Sequence, residues 1–237
     1  MSSSGKSPGH IAFQTWEAAG ESLESVEARI HDGAPMALLK QRANGYLETF
    51  HRLLPGLRIP QRPAVMEIGS GVGYVMEAAI QRYKPTRIVG LDVASGMIEK
   101  ARERLQRDAV DRSAVEFVHY DGIDAPVPDS SFDLIYSVAC LQHAPRPYCY
   151  RALMEAQRMV RPGGTVMIHL LTHSHFRQYM TPAAFRADVD QQIRMQEGHW
   201  HHYYSADEID AVLKSGLAAQ QPRIQEHAGS LYFSFSK

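Results

Sequence analysis

The sequence has few cysteines and no long run of apolar residues. No stretch approaches the roughly 18 apolar residues that a membrane-spanning helix needs, so neither a membrane protein nor a membrane partner is expected. The two cysteines, Cys140 and Cys149, are too few for a disulfide framework and lack the paired spacing of a zinc site. The first ten residues are small and polar, unlike a signal peptide, and a cytoplasmic protein is expected.

An excess of charge of either sign is also missing. The 25 Lys and Arg residues balance 26 Asp and Glu residues, which gives a formal net charge of −1. A protein that binds nucleic-acid phosphates usually has more Lys and Arg than Asp and Glu residues, so no nucleic-acid partner is expected. The oligomeric state stays open, and a homodimer is allowed.

Past Pro63, short β-branched runs alternate with longer amphipathic segments. This alternation is typical of a parallel sheet with crossover helices. The predicted strands are 64–68, 86–91, 115–120, 132–139 and 165–171. The predicted helices between them are 72–83, 95–107 and 148–160. The chain after residue 205 predicts one more helix and a β-hairpin with strands 223–227 and 231–236.

The spacing of apolar residues divides the chain into three parts. Residues 1–10 are predicted to be a flexible tail, 11–60 a helical cap, and 61–237 the main α/β domain. Gly33–Pro35 is predicted to separate two helices of the cap. The connection 172–204 is far longer than the sheet needs, and such connections usually cover a site. It is predicted to be a lid inserted in the main domain.

The stretch VMEIGSGVGY places three glycines at alternate positions after the first predicted strand. A glycine-rich turn there lets a ligand approach the backbone at the carboxyl edge of a sheet. A dinucleotide fingerprint needs a further glycine at position 74, where the chain has Tyr74, and the P-loop pattern is absent. A pyrophosphate dinucleotide is therefore disfavoured.

Two carboxylates follow the next two strands. Asp92 ends the second strand, where an acid commonly binds ribose hydroxyls. Asp121 follows the third strand and precedes Gly122 and Ile123. The Asp121 carboxylate suits the amino group of a base, and the apolar Ile123 suits its face. Both acids could instead cap a turn or helix. Together with the glycine loop they suggest adenosine.

With these motifs in order, the segment 62–171 resembles class I S-adenosylmethionine-dependent methyltransferases. EIGSGVG resembles their first motif, GLDVASGMIEKAR their second, HYDGIDAPVPDSSFDLIYSVACLQHAP their third and fourth, and LMEAQRMVRPGGTVMI the segment before their fifth strand. The resemblance implies an α/β, Rossmann-like, doubly wound seven-stranded sheet whose last strand is antiparallel. It also implies S-adenosyl-L-methionine as cofactor and S-adenosyl-L-homocysteine as product.

The family's cofactor residues carry over by position. The resemblance implies that the first motif lines the methionine part, Asp92 binds the ribose, and Val93 or Met97 packs near the adenine. Asp121, Gly122 and Ile123 would meet the adenine, and Ser137 would lie beneath the sulfonium. The full set of implied cofactor residues is Glu67, Gly69, Ser70, Gly71, Gly73, Asp92, Val93, Met97, Asp121, Gly122, Ile123 and Ser137.

The acceptor side is predicted to lie after the fourth strand. His143 is the first candidate for a general base; the alternative is that its ring only holds the floor of the site. The aromatic and histidine-rich ends of the predicted lid favour a substrate pocket over a metal site, because no carboxylate accompanies them at helical spacing. The predicted substrate residues are Gln142, His173, His201, Tyr203 and Trp16.

The predicted function is transfer of a methyl group to an oxygen or nitrogen of a small-molecule metabolite. One alternative is a non-catalytic protein that binds S-adenosylmethionine or a partner. Another is an NAD(P)-dependent oxidoreductase, against which the missing glycine and the absence of a Tyr-x-x-x-Lys pair both argue.

Overall fold

The computed structural model of the protein describes residues 16–18, 20–31, 33–194 and 201–237. Its centre is a mixed sheet of mostly parallel strands. In chain order the strands are β1 Ala64–Ile68, β2 Arg87–Asp92, β3 Val115–His119, β4 Phe132–Ser137, β5 Val160–Thr172, β6 Tyr203–Tyr204, β7 Gln220–His227 and β8 Ser230–Ser236. The spatial order is β3-β2-β1-β4-β5-β8-β7, and β6 pairs with β5.

Helices cover the sheet and precede it. They are α1 Leu23–Ile30, α2 Met36–Leu53, α3 Tyr74–Tyr83, α4 Ser95–Arg107, α5 Arg146–Met159, α6 His173–Tyr179, α7 Pro182–Arg194 and α8 Ala206–Ala211, with a 3₁₀ turn at Leu141–His143 and a π-helical turn at Val212–Gly216. None of the described helices is both long and apolar enough to cross a membrane.

The two faces of the sheet bury two separate cores, as alternation along a strand requires. All five residues of β1 are buried. Met66 packs with residues of α5, such as Leu153, on one face. Val65 packs with residues of α2 and α3, such as Phe50 and Met76, on the other face. Helices therefore lie on both sides of the sheet, and the predicted doubly wound fold is confirmed.

The C-terminal hairpin runs as predicted. β8 is antiparallel to both of its neighbours, β5 and β7. β7 begins at Gln220, three residues before the strand that the sequence indicates, and its register shifts between Gln220 and Arg223. Pro222 in this segment cannot donate to a strand ladder, which explains why the sequence pattern hides the start of the strand.

One short strand was not predicted. β6 pairs in parallel with the end of β5 through Leu171 and Tyr203, and the other side of Leu171 pairs with Ser230 of β8. β6 must therefore lie on the β4 side of β5, beyond the point where β4 ends. The described sheet thus has eight strands where the resemblance implied seven, because a two-residue strand leaves no periodic pattern.

The N-terminal helices break at Gly33–Pro35 as the sequence indicates. Ser22 caps α1 by accepting a hydrogen bond from the backbone of Ser25 over 3.2 Å. α2 is long and buries Leu39, Leu47 and Phe50 against the sheet side that holds Val65. This packing places α2 beside α3 on the same face of the sheet.

Candidate functional site

The glycine loop lies between β1 and α3 and has a backbone that side chains would obstruct. Gly69 has φ +75°, and a Cβ there would fall 1.9 Å from Cys140 Sγ. The loop therefore touches the segment that follows β4. Gly71 has φ +48°, and no described atom lies within 4 Å of its would-be Cβ. The loop is open on that side, where a ligand can approach the backbone.

Asp92 ties the end of β2 to this loop. Its Oδ2 accepts from the Gly71 amide over 2.8 Å, and its Oδ1 accepts from the Ala94 amide over 3.0 Å. Burial raises the pKa of the Asp92 carboxyl, against the lowering effect of the hydrogen bonds from Ala94 and Gly71. Asp92 is thus both a turn cap and a carboxylate at the predicted ribose position.

Several buried polar atoms at the carboxyl ends of β1, β4 and β5 have no hydrogen-bond partner among the described residues. A buried polar atom left without a partner costs about 1–3 kcal/mol, so such a group of atoms indicates that a ligand supplies the partners. The atoms are Glu67 Oε2, Ser70 Oγ, Gln142 Oε1 and His169 Nε2.

Glu67 is the most strongly perturbed of these groups. It is only 2% exposed, and burial raises the pKa of its carboxyl well above the ordinary value, against the lowering effect of a hydrogen bond with Tyr136. The nearby Asp92 charge adds to the rise. A cation placed beside Glu67 would stabilise its ionised form. The end of β1 therefore suits a positively charged ligand group.

The predicted adenine side lies at the end of β3. Asp121 Oδ1 accepts from the amides of Ile123 and Asp124 over 2.9 and 3.0 Å, so the carboxylate forms a turn. These hydrogen bonds lower the pKa of Asp121. Gly122 has φ +84°, and Ile123 is 42% exposed despite being apolar. An exposed isoleucine beside a turn offers an apolar surface to a flat base.

The remaining predicted cofactor residues lie around the same edge. Met97 is buried in the first turn of α4, and Val93 is half-buried with its carbonyl accepting from His119 Nε2 over 3.1 Å. Ser137 is fully buried and donates from Oγ to the Ile68 carbonyl over 2.8 Å, which braces β4 against β1.

Arg104 is a residue of this site that the sequence did not reveal. It is fully buried, and its guanidinium donates to the carbonyls of Val72 and Gly73 over 2.7 Å each. It also pairs with Glu77 at 2.6 Å and Asp108 at 3.1 Å. Arg104 thereby fastens the glycine loop to α4. An arginine in an amphipathic helix is usually read as a solvated residue, so no sequence signal marks it.

Three segments that are distant in sequence bring aromatic rings together on the acceptor side. The ring centroids of Trp16 and His143 are 4.8 Å apart, and those of His143 and His201 are 4.7 Å apart. Trp16 comes from the N-terminal segment, His143 from the 3₁₀ turn after β4, and His201 from the chain before β6. The structure thus brings three predicted site residues together, with Trp16 and His201 beside His143.

The end of the segment 173–202 is fixed to the same turn. The His202 amide donates to the Gln142 carbonyl over 2.7 Å, and Arg146 donates to the Tyr203 carbonyl over 2.7 Å. His173 is exposed at the other end of the segment, with its ring 6.3 Å from that of Tyr203. Within the part of the chain that the structure describes, there is no group of three or more His, Cys, Asp or Glu side chains that could hold a metal ion.

Residues 65–164 match the model of a family described as "Methyltransferase domain". The chain carries a class I S-adenosylmethionine-dependent methyltransferase domain. The predicted family is confirmed, and with it S-adenosyl-L-methionine as the cofactor of the domain. The matched segment includes the glycine loop, Asp92, Asp121 and His143.

Relatives and solved structures agree with this domain. The chain is 27% identical over 164 residues to a 27-O-demethylrifamycin SV methyltransferase of Amycolatopsis mediterranei, covering 68% of this chain and 55% of the relative. It is 28% identical over 170 residues to a malonyl-[acyl-carrier protein] O-methyltransferase of Marinomonas, covering 70% and 57%. The chain spans about half the length of these relatives.

The fold is also similar to that of a putative S-adenosyl-L-methionine-dependent methyltransferase from Methanococcus maripaludis. The TM-score is 0.62 at 16% identity, with 100% of this chain and 97% of the other covered. The elements outside residues 65–164 therefore have counterparts in a known fold as well.

The chain's own residues fit the cofactor of the methyltransferase domain. The unpartnered buried atoms of Glu67 and Ser70 lie at the glycine loop, where the open side of Gly71 leaves room for a ligand. The carboxyl of Glu67 suits a cationic group, and the methionine end of the cofactor carries both a sulfonium and an ammonium. The negative charge of an ionised Glu67 thus complements the positive charges at the methionine end of S-adenosyl-L-methionine.

Proposed function

We propose that the protein is a methyltransferase that moves a methyl group from S-adenosyl-L-methionine to an oxygen or nitrogen of a small-molecule metabolite. The observation that carries the proposal is the meeting of Trp16, His143 and His201 beside the buried, unpartnered polar atoms at the ends of β1 and β4. A cluster of aromatic and imidazole rings beside a cofactor site is suited to contact a small organic acceptor.

The cofactor site would be divided among three strand ends. Glu67 and the glycine loop would hold the methionine end, Asp92 the ribose, and Asp121 with Ile123 the adenine. A carboxylate accepts about four hydrogen bonds. Each oxygen of Asp92 already accepts one from the backbone, so each can accept one more from a ribose hydroxyl. The 42% exposure of Ile123 supports an apolar contact with the base.

The segment 172–204 would act as a lid over the acceptor. Its return is tied to Gln142 and to β5, and the rings of Phe176 and Tyr203 pack at 5.2 Å. His173, His201 and Tyr203 would contribute to the acceptor pocket, with Trp16 closing it from the N-terminal side. His199 and Trp200, which belong to the histidine-rich and aromatic end of the predicted lid, lie outside the described residues, as do all of residues 195–200.

The reaction is an in-line displacement, for which the protein mainly supplies orientation worth about 7–11 kcal/mol. When bound, S-adenosyl-L-methionine supplies an electrophilic methyl group and leaves as S-adenosyl-L-homocysteine. His143 would take the proton of an acceptor hydroxyl as the oxygen attacks the methyl carbon. Trp16 and His201 would hold the His143 ring in place and keep water from the acceptor. Glu67 would orient the methionine end.

Oxygen is favoured over nitrogen as the acceptor atom. A neutral amine needs no base to react, whereas an alcohol benefits from one, and His143 is the base proposed here. The name of the Marinomonas relative specifies an O-methyltransferase, and the substrate name of the Amycolatopsis relative specifies an O-demethyl compound. Both names agree with an oxygen acceptor.

Two measurements test the proposed function. Calorimetry with S-adenosyl-L-homocysteine should show saturable binding, and NAD should show none. Incubation of the protein with methyl-labelled cofactor and fractionated metabolites should then transfer label to a small molecule. Binding without any transfer would support the non-catalytic alternative, and absence of binding would overturn the proposal.

A further inference from the structure

His169 is a buried histidine of β5 that the sequence prediction did not include. It is 1% exposed, and its Nδ1 accepts a hydrogen bond from the Ala139 amide over 3.2 Å. A neutral imidazole that accepts at Nδ1 carries its proton on Nε2. That Nε2 is buried and has no partner among the described residues. The ring therefore presents a fixed hydrogen-bond donor that lacks an acceptor.

Two tyrosines hold the ring of His169 in this orientation. The ring centroid of Tyr46 on α2 lies 4.9 Å away at an interplanar angle of 64°. That of Tyr232 on β8 lies 5.1 Å away at 62°. Edge-to-face packing from two sides restricts the rotation of the imidazole. The donor is thus preorganised, and it lies between aromatic surfaces.

The protonation state of His169 is constant across the physiological range. Burial, with a contribution from His175 of α6, lowers the pKa of His169 to about 3. The other titratable groups that face the ring are the phenols of Tyr46 and Tyr232, whose pKa values burial raises, so they stay neutral. His169 is therefore a neutral donor and not a proton carrier.

The position of His169 connects it to the acceptor side of the cleft. Ala139 directly precedes Cys140, which touches the glycine loop at Gly69. The same segment continues into the turn that carries His143. One end of the His169 ring is thus fixed to the link between the cofactor loop and the candidate base.

We propose that His169 is a specificity-determining residue whose Nε2–H donates to an oxygen of the methyl acceptor next to the atom that is methylated. The acceptor class is a flat, oxygenated ring compound in which a carbonyl, ether or hydroxyl oxygen neighbours the reacting hydroxyl. A neutral oxygen suits a single neutral donor between two tyrosine rings better than a carboxylate does, because a carboxylate favours charged donors. The inference rests on the proposed function.

The test uses two phenols of similar size as probes on the protein saturated with S-adenosyl-L-homocysteine. Guaiacol carries an ether oxygen beside its hydroxyl, and 2-ethylphenol does not. We expect guaiacol to bind about 3- to 10-fold more tightly, the range of one net hydrogen bond. Equal affinities, or no binding of either compound, would overturn the proposal.

Three substitutions at His169 separate the donor from the packing. His169→Phe keeps a ring but removes the donor, His169→Asn keeps only a group near Nδ1, and His169→Gln returns an amide donor near Nε2. The preference for guaiacol should disappear in the first two variants and partly return in the third. A preference that survives in His169→Phe contradicts the inference.

Cofactor binding distinguishes this inference from the proposed function. All three variants should bind S-adenosyl-L-homocysteine as the wild type does, which also shows that they fold. Loss of that affinity in both His169→Phe and His169→Asn, with folded circular dichroism spectra, would assign the donor to the methionine carboxylate and overturn the inference while leaving the methyltransferase intact. A wild-type protein that does not bind S-adenosyl-L-homocysteine would overturn the proposed function itself.

Discussion

Arg104 donates from Nη2 to the carbonyl oxygen of Gly73 over 2.7 Å, so a fully buried guanidinium on α4 holds the backbone of the cofactor loop. The same side chain lies 4.3 Å from the ring centre of Tyr74, the residue that replaces the last glycine of a dinucleotide fingerprint. The arginine and the tyrosine together give the loop a support that glycine could not provide.

Arg104→Met should therefore weaken both the fold and the cofactor site. The substitution leaves two buried carbonyls and the carboxylates of Glu77 and Asp108 without this partner, which should lower the free energy of unfolding by about 3–5 kcal/mol. Urea denaturation measures the loss. Arg87→Met is the matched control, because Arg87 forms an exposed ion pair with Glu116 and its loss should cost less than about 1 kcal/mol. Equal losses would contradict the assigned role.

Glu67→Gln should make the ligand-free protein more stable at pH 8. The folded-state pKa of Glu67 is raised, so the folded protein holds a proton that the unfolded chain has released, and stability falls as the pH rises above the ordinary glutamate range. Glutamine removes this penalty, which should add about 1–3 kcal/mol at pH 8 and little at pH 4. Thermal denaturation at the two pH values measures the difference.

The same substitution should weaken binding of S-adenosyl-L-homocysteine, because the proposed contact between the Glu67 carboxylate and the ammonium of this compound is lost. Glu48→Gln, on the exposed side of α2, is the control for both measurements. If Glu67→Gln binds S-adenosyl-L-homocysteine as tightly as the wild type, Glu67 does not face the methionine end.

Asp92→Asn should reduce affinity for S-adenosyl-L-homocysteine about 10- to 100-fold, through the loss of charge-assisted hydrogen bonds to the ribose. Titration calorimetry measures the change. Asp111→Asn is the control, since the Asp111 carboxylate accepts from the Ser113 amide in an exposed turn.

A cofactor analogue separates the ribose role of Asp92 from its capping role. The wild type should bind 2′-deoxy-S-adenosylhomocysteine less tightly than the natural compound, and Asp92→Asn should show a smaller difference between the two. If Asp92→Asn discriminates between the two compounds as strongly as the wild type does, Asp92 only caps the amides of Gly71 and Ala94.

His143→Ala should lower kcat about 10²- to 10⁴-fold, the usual range for loss of a general base, with little change in cofactor affinity. The measurement needs the acceptor found by metabolite labelling. His51→Ala is a matched control, because His51 bonds to Tyr83 away from the ring cluster. Unchanged turnover in His143→Ala would leave His143 with a structural role only.

The parallel core was predictable because each strand and helix carries its own pattern. β1 and α4 have the bounds that the sequence indicates, 64–68 and 95–107. Burial of whole strands yields continuous apolar runs, and Met97, Ala101 and Leu105 repeat at helical spacing. These signals are local, so one sequence suffices.

The features that could not be predicted depend on contacts between distant segments. Arg104 is buried only because carbonyls from the glycine loop meet it, and β6 exists only because its chain returns beside β5. His169 left a faint signal, a single histidine within the apolar run of β5. A polar residue in such a run deserves consideration as a ligand contact.

The return of the chain at β6 fixes both ends of the segment 173–202 to the same strand, at Thr172 and Tyr203. The entropic cost of closing a loop that is anchored at both ends grows only slowly with its length, by about 0.6 kcal/mol for each doubling. Insertions or wholesale exchange between the two anchors would therefore leave the sheet and the cofactor cleft almost untouched. The proposed lid, and with it the choice of methyl acceptor, can therefore change while the sheet and the cofactor site stay the same.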